Sequence, residues 1–373
     1  MGDSKIYIIC GERSGDLHAS NLVGSIKANA PSAQFRGMGG ELSAKAGVDL
    51  FVDYSEVAVM GFLEVLFGFR KVLKYLSKVK QDIQTYKPDL IVLVDYGGFN
   101  MKIARFATDL GIPVHYYIPP KVWAWNQQRA LKLKEITTRI YSILPFEPDF
   151  FKKFDMEVEY VGNPLLDEIK SFTPHEFFLQ KNELNFDPIV ALLPGSRKQE
   201  VSKMLSRMIH VSREFSNIQF IVAGVNSLDS GIYDEARKAG IKVVFDQTYD
   251  LLHHSIAAVV TSGTATLETA IFRVPQVVVY HTSPVSYAIA KRLIRVDFIS
   301  LVNLIANEEV VKELIQDDFS VQSLKAELNR ILTNQVYKGQ MLQGYDKILE
   351  LLGSESASDT TADRILDSLK KKS

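Results

Sequence analysis

The chain of 373 residues has one cysteine, Cys10. A lone thiol excludes an intrachain disulfide and any zinc site built on paired CxxC motifs, and it fits a reducing compartment. Net charge is nearly absent: 43 Lys and Arg stand against 44 Asp and Glu, leaving −1. That excludes a polycation held on nucleic acid by bulk charge. No window reaches the roughly 18–20 uncharged apolar residues of a spanning helix. The opening run Ile6–Cys10 falls short of the about 7–15 apolar residues of a signal-peptide core, so it reads as a strand. The phosphate-binding pattern GxxxxGK[ST] is missing. The histidines are scattered, apart from His253 and His254. Sequence neighbours do not share a helix face, so no metal site is expected.

What is present is ordinary globular material, 46% apolar and 10% aromatic. A prior of roughly 100–200 residues per domain suggests two domains. Short continuous apolar runs bounded by Gly or Pro recur at Ile6–Cys10, Leu90–Val94, Val114–Ile118, Ile189–Leu193, Phe220–Ala223, Ala257–Val260 and Gln276–Tyr280. Such runs suit parallel strands covered on both faces. Alternation with helix-length stretches gives an α/β architecture of two doubly wound domains. A break at Gly162-Asn163-Pro164 sets an N-terminal domain at 1–163 and a C-terminal one at 164–335. After Ser300 the sequence reads as helical through Glu308–Ile315, Leu324–Leu332 and Val336–Leu352. Residues 336–373 are candidates to pack back on the first domain, and the polar tail Ser354–Ser373 is expected to be loosely held.

In doubly wound sheets, ligands sit outside the carboxyl ends of the strands. Four segments fall there. Gly11–Asp16 follows the first strand; Ser14 and Gly15 let a ligand approach, while Ser14 or Asp16 suits a helix cap. Gly37-Met38-Gly39-Gly40 reads as a similar loop. Leu193–Arg197, LPGSR, puts Gly195 and Ser196 at a helix start, where exposed N–H groups and the dipole favour an anion. Arg197 adds a fork suited to phosphate, and Glu200 one turn on positions it or contacts ligand. Ser262-Gly263-Thr264-Ala265-Thr266-Leu267-Glu268 is a second hydroxyl-rich turn. It suits another phosphate, with Glu268 free to accept both hydroxyls of a ribose; the alternative is capping by Thr264 or Thr266. Both phosphate-type loops lie in the C-terminal half, which points to a nucleotide diphosphate there. Asp95–Asn100, DYGGFN, offers Asp95 as a general base or as a helix cap.

Residues Val57–Lys80 run from Met60, Phe62, Leu63, Val65, Leu66, Phe67 and Phe69 into Arg70, Lys71, Lys74, Lys78 and Lys80. An apolar stretch followed by a basic cluster suits a membrane interface. It equally suits an amphipathic core helix with solvated lysines.

Eight motifs occur in order: GERSGD at 11–16, GMGG at 37–40, MGFLEVL at 60–66, KPDLIVLVD at 87–95, VWAW at 122–125, LPGSR at 193–197, SGTATLE at 262–268 and VNLIA at 302–306. Together they resemble the lipid-A-disaccharide synthases, glycosyltransferases of Gram-negative bacteria, to about residue 350. The resemblance implies a GT-B fold: two Rossmann-like domains facing a cleft, with the donor nucleotide on the C-terminal one. It implies transfer from UDP-2,3-diacylglucosamine to 2,3-diacylglucosamine 1-phosphate, with inversion, giving the β-1,6 disaccharide 1-phosphate and UDP. It further implies no cofactor or required metal, and a peripheral place on the cytoplasmic side of the inner membrane. A homodimer is an open expectation, and nucleic acid is not an expected partner.

Residue by residue, Arg197 matches the family's diphosphate-binding arginine and Glu268 the glutamate at the donor nucleotide. Asn303 matches the late asparagine reaching the donor site, and Arg129 the basic residue after VWAW; Asn100 and Ser262 fall within matched motifs. The family commonly reads DAPDFN where this chain has Asp95–Asn100, so its second aspartate is Gly98 here. Pro119 and Lys121 likewise replace serines before VWAW. The base is then Asp95 or comes from another loop. Two further readings stay open. One is another GT-B enzyme, a UDP-GlcNAc 2-epimerase or the transferase making lipid II. The other is a weakened nucleotide- or lipid-binding protein, motivated by Gly98.

Overall fold

A computed structural model describes residues 4–57, 64–293 and 296–370. The chain forms two compact units, Met1–Asp167 with Ser354–Ser373, and Glu168–Gly353.

The first unit carries seven strands: β1 (Lys5–Ile9), β2 (Gln34–Gly39), β3 (Val48–Asp53), β4 (Leu90–Val94), β5 (Val114–Tyr117), β6 (Arg139–Ser142) and β7 (Glu159–Tyr160). They pair in the order β3-β2-β1-β4-β5-β6-β7, each pair parallel. The second unit has β8 (Ile189–Leu193), β9 (Gln219–Gly224), β10 (Lys242–Phe245), β11 (Ser255–Thr261), β12 (Gln276–Tyr280) and β13 (Glu313–Ile315). Their order is β10-β9-β8-β11-β12-β13, again all parallel. The central strands β4 and β8 are apolar at every position because helices cover both faces, and all five residues of each are buried.

Each order reverses once, between β1 and β4 and between β8 and β11. Loops leaving the carboxyl ends at such a switch point diverge and leave room for a ligand. The four loops singled out in the sequence by strand-to-helix chemistry are the loops at these two points.

Three sequence expectations change. Gly37–Gly39 belongs to β2 rather than to a loop. Within the expected helix Glu308–Ile315, the residues Glu313–Ile315 form edge strand β13. The tail is not loose: Ala357–Lys370 is a helix whose Ala362, Ile365, Leu366 and Leu369 join the core formed by β1, β4 and the Arg13–Asn29 helix. Its apolar residues recur at helical spacing inside a polar composition, which hid them. The preceding helix Gln335–Leu352 stays with the second unit, against the helices Leu301–Ala306 and Thr264–Ile271.

In the stretch Val57–Lys80, the side chains of the apolar first half lie outside the described residues. The described second half belongs to the helix Glu64–Tyr86. Leu76 and Val79 are buried, while Lys71, Lys74 and Lys78 are exposed. The same helix is anchored through buried Asp82, which accepts two bonds from Arg36 at 2.9 and 3.0 Å and one from the Tyr7 hydroxyl at 2.8 Å.

Candidate active site

In the first unit, β1 runs through Cys10-Gly11-Glu12 into the Arg13–Asn29 helix, and β4 runs through Asp95-Tyr96 into the helix Gly97–Asp109. Asp95 and Tyr96 both adopt left-handed backbone, φ 47° and 49°. A non-glycine residue held there costs about 1–2 kcal/mol, so the turn must be held from beneath. Asn100 does this: its Nδ2 donates to the carbonyls of Asp95 at 2.8 Å and Val94 at 3.3 Å. The Tyr116 hydroxyl adds a bond to the Asp95 carbonyl at 2.7 Å. Above, the Tyr96 ring lies so close over Gly11 that a Cβ there would sit 2.2 Å from it.

This turn presents the Asp95 carboxyl beside Glu12. Burial first, then the Glu12 charge, push Asp95 up to about 6, while Lys121 and the Tyr96 N–H act against the shift. A carboxyl tuned close to neutral pH is what a general base needs. Asp95 does not cap the following helix, whose N-cap is Tyr96 with no side-chain bond. Gly98 is exposed, and a Cβ on it would meet nothing within 4 Å, so nothing fills the place of the family's second aspartate.

Several expected contacts prove to be internal. Asn100 is fully buried, and its Nδ2 supports the turn. Gly15 is buried against Cys10. Asp16 does not cap its own helix; its carboxylate accepts from the backbone N–H groups of Gly40, Leu42 and Ser43 at 2.8–3.1 Å and fixes the next helix, Glu41–Lys45. Ser14 is exposed and donates to Glu12 at 3.1 Å. After β5, Lys121 is exposed and precedes the short helix Val122–Trp125. Trp123 is buried, and its Nε1 donates to Glu147 at 3.0 Å. Burial pushes Glu147 up to about 7 despite that bond. Trp125 is exposed and carries the Arg129 guanidinium over its ring at 5.3 Å.

In the second unit, β8 leads through Pro194–Arg197 into the helix Lys198–Ser212, and β11 leads through Ser262-Gly263 into Thr264–Ile271. Neither helix has a side chain capping its N-terminus; the N–H groups of Glu200 and Thr266 donate to the Arg197 and Gly263 carbonyls, and an uncapped helix start of this kind suits an anion. Gly195 has φ 105°, a region closed to residues with a Cβ, and the Glu200 carboxylate packs where that Cβ would be. Glu200 accepts from Arg197 at 3.0 Å, so it positions the arginine, whose side chain is 77% exposed. Ser196, Gly263 and Thr264 are exposed at the same edge.

Others at this edge face inward. Ser262 donates to the Ile299 carbonyl at 2.7 Å. Thr266 is buried and donates to the Gly263 carbonyl at 2.8 Å. Asn303 does not reach outward. It is fully buried; its Nδ2 donates to Val311 O and Glu313, and its Oδ1 accepts from Val310 and Val311, which exhausts the amide. Glu268 is partly exposed, raised by burial, and accepts from the Tyr249 hydroxyl at 3.0 Å. Among the described residues, no group of His, Cys, Asp and Glu is placed to hold a metal, and no helix is long and apolar enough to cross a membrane.

A family profile described as lipid-A-disaccharide synthetase matches residues 6–364. The chain is 38% identical to the lipid-A-disaccharide synthase of Syntrophus aciditrophicus, over all of this chain and 99% of that one. It is 38% identical to that of Geobacter metallireducens, over 99% and 98%. The chain belongs to the lipid-A-disaccharide synthase family. It is therefore a glycosyltransferase of the lipid A disaccharide-forming kind, and the family's substrates are a UDP-sugar donor and a lipid acceptor.

Solved structures add the fold. The UDP-GlcNAc 2-epimerase of Neisseria meningitidis bound to UDP-GlcNAc is similar with a TM-score of 0.64 at 12% identity, over 97% of this chain and all of that one. The calicheamicin glycosyltransferase CalG4 gives 0.63 at 15%, over 99% of each. Both carry the GT-B arrangement expected from the sequence; at this identity they speak for architecture alone. Sequence reasoning missed Lys121 as a charge acting on Asp95, and it missed Tyr249, which no spacing rule connects to Glu268.

Proposed function

We propose that this chain joins UDP-2,3-diacylglucosamine to 2,3-diacylglucosamine 1-phosphate by a single inverting displacement, releasing UDP. Asp95 is the base that takes the acceptor hydroxyl proton, with Glu12 and Lys121 setting its affinity for that proton. On the donor side, the N–H groups at the starts of Lys198–Ser212 and Thr264–Ile271 hold the diphosphate with Ser196 and Thr264, and Glu268 takes the ribose hydroxyls. Arg197 neutralises the charge that builds on the departing UDP. The pairing of two uncapped helix starts with an exposed arginine carries this reading.

Arg129 and Trp125, stacked at an exposed edge, contact the acceptor on this reading. On this reading the enzyme works peripherally on the cytoplasmic face of the inner membrane, which the apolar-then-basic sequence of Val57–Lys80 supports. Phe67→Glu with Phe69→Glu should then reduce sedimentation with anionic vesicles; unchanged binding would make the stretch ordinary core. For the chemistry, Arg197→Ala tests the assignment. Losing one such donor lowers turnover about 100–1,000-fold with the fold intact, because the side chain is mostly exposed. Near-normal activity would remove Arg197 from the mechanism.

A further inference from the structure

Glu268 has one hydrogen-bond partner for its carboxylate among the described residues, the Tyr249 hydroxyl at 3.0 Å. That hydroxyl has a second carboxylate within reach, Glu168, at 3.4 Å. One proton cannot serve both acceptors fully, and the shorter contact is to Glu268. The Tyr249 ring is held in place by Phe172, edge-on at 5.5 Å, and by Phe272, tilted at 5.2 Å. Its hydroxyl direction is thus fixed by packing.

We propose that Tyr249 is a positioning residue for the sugar-nucleotide donor: its hydroxyl orients the Glu268 carboxyl group for the ribose and is drawn off in part by Glu168. This rests on the reading of Glu268 as the ribose carboxylate. A diol donates two hydrogen bonds, and a carboxylate accepts such a pair more strongly than a neutral oxygen does. Burial works against that charge, and the bond from Tyr249 works for it. Tyr249 donates throughout the working range, because burial and its two carboxylate neighbours raise its own ionisation far above neutrality. Glu168 is the other titratable group acting on Tyr249, and Tyr249 is the one acting on Glu268.

The test is the dissociation constant of UDP, measured by calorimetry on the full chain from pH 5 to 8 for wild type, Tyr249→Phe, Glu168→Gln and Glu268→Gln. Phenylalanine keeps the ring packing and removes only the hydroxyl. The expected result is binding about tenfold weaker at pH 7. The acid loss of binding should also move to higher pH, since Glu268 then protonates more easily. Glu168→Gln removes the competing charge and should bind UDP at least as tightly as wild type. Tyr249→Phe binding within twofold of wild type across the range overturns the inference, as does Glu168→Gln weakening UDP as much as Tyr249→Phe. If Glu268→Gln binds UDP normally, the donor-site reading of Glu268 fails and takes the inference with it. If Glu268→Gln loses binding while Tyr249→Phe does not, only the inference fails.

Discussion

Replacing Asp95 by Asn asks one question of the molecule, whether the acceptor proton goes to this carboxyl. The fold should hold, because the bonds from Asn100 and Tyr116 reach the Asp95 backbone carbonyl rather than its side chain, and Asn tolerates left-handed backbone well. Loss of a general base lowers kcat about 100–10,000-fold, roughly 3–5 kcal/mol of barrier. The pH profile is sharper still. With Asp95 at about 6, the carboxylate is about nine-tenths ionised at pH 7 and about one-tenth at pH 5. Wild-type kcat/KM should therefore fall close to tenfold between those values, with the limb centred near pH 6. The neighbours set its direction: Glu12→Gln removes a charge that raises Asp95 and moves the limb lower, while Lys121→Met removes one that lowers it and moves the limb higher. An Asp95→Asn enzyme with the wild-type rate and limb would refute the assignment. A Glu12→Gln limb that moves upward would refute the electrostatic account.

Gly98→Asp should fold normally, since its side chain enters open space, and in the Asp95→Asn background it should return about tenfold or more of the lost rate; no rescue would leave the family's second aspartate without a role here. Glu147, raised from 4.5 to about 7 by burial, binds its proton more tightly folded than unfolded. It favours the folded state below about pH 4.5, and that contribution, about 3 kcal/mol, is lost as pH rises through 7. Denaturant midpoints of Glu147→Gln should fall less between pH 5 and 8 than those of wild type; parallel slopes would contradict this. Ile365→Ala should destabilise the first unit by about 2–5 kcal/mol, because Ile365 is fully buried in its core. A change below about 0.5 kcal/mol, normal for a surface site, would mean the last helix is dispensable.

The two sheets were legible where their strands were buried on both faces. Leu90–Val94 and Ile189–Leu193 read as unbroken apolar runs. Others were not: edge strand β3 buries only Val48 and Val52, edge strand β13 is three residues long, and β2 carries two of the glycines that mimicked a loop. The chemistry-bearing loops were found because strand, small residues and helix follow one another in sequence. Which of their side chains face outward was not. Asn303 and Thr266 look like ligand contacts in a motif, and each is spent on neighbouring groups, as is the Nδ2 of Asn100. Hydrogen-bond capacity is a property of the fold, and a motif does not say whether it has been used. Contacts between distant segments, such as Tyr249 to Glu268 or the last helix to the first, have no local signal at all.

The central claim is that this chain makes a disaccharide from two acylated glucosamine substrates. Incubating purified protein with UDP-2,3-diacylglucosamine and 2,3-diacylglucosamine 1-phosphate, then following UDP release and product mass together, tests it most directly. The expected result is one UDP for each acylated disaccharide 1-phosphate, with both lost in Arg197→Ala. UDP binding with no disaccharide, or UDP released without the acceptor being consumed, would contradict it.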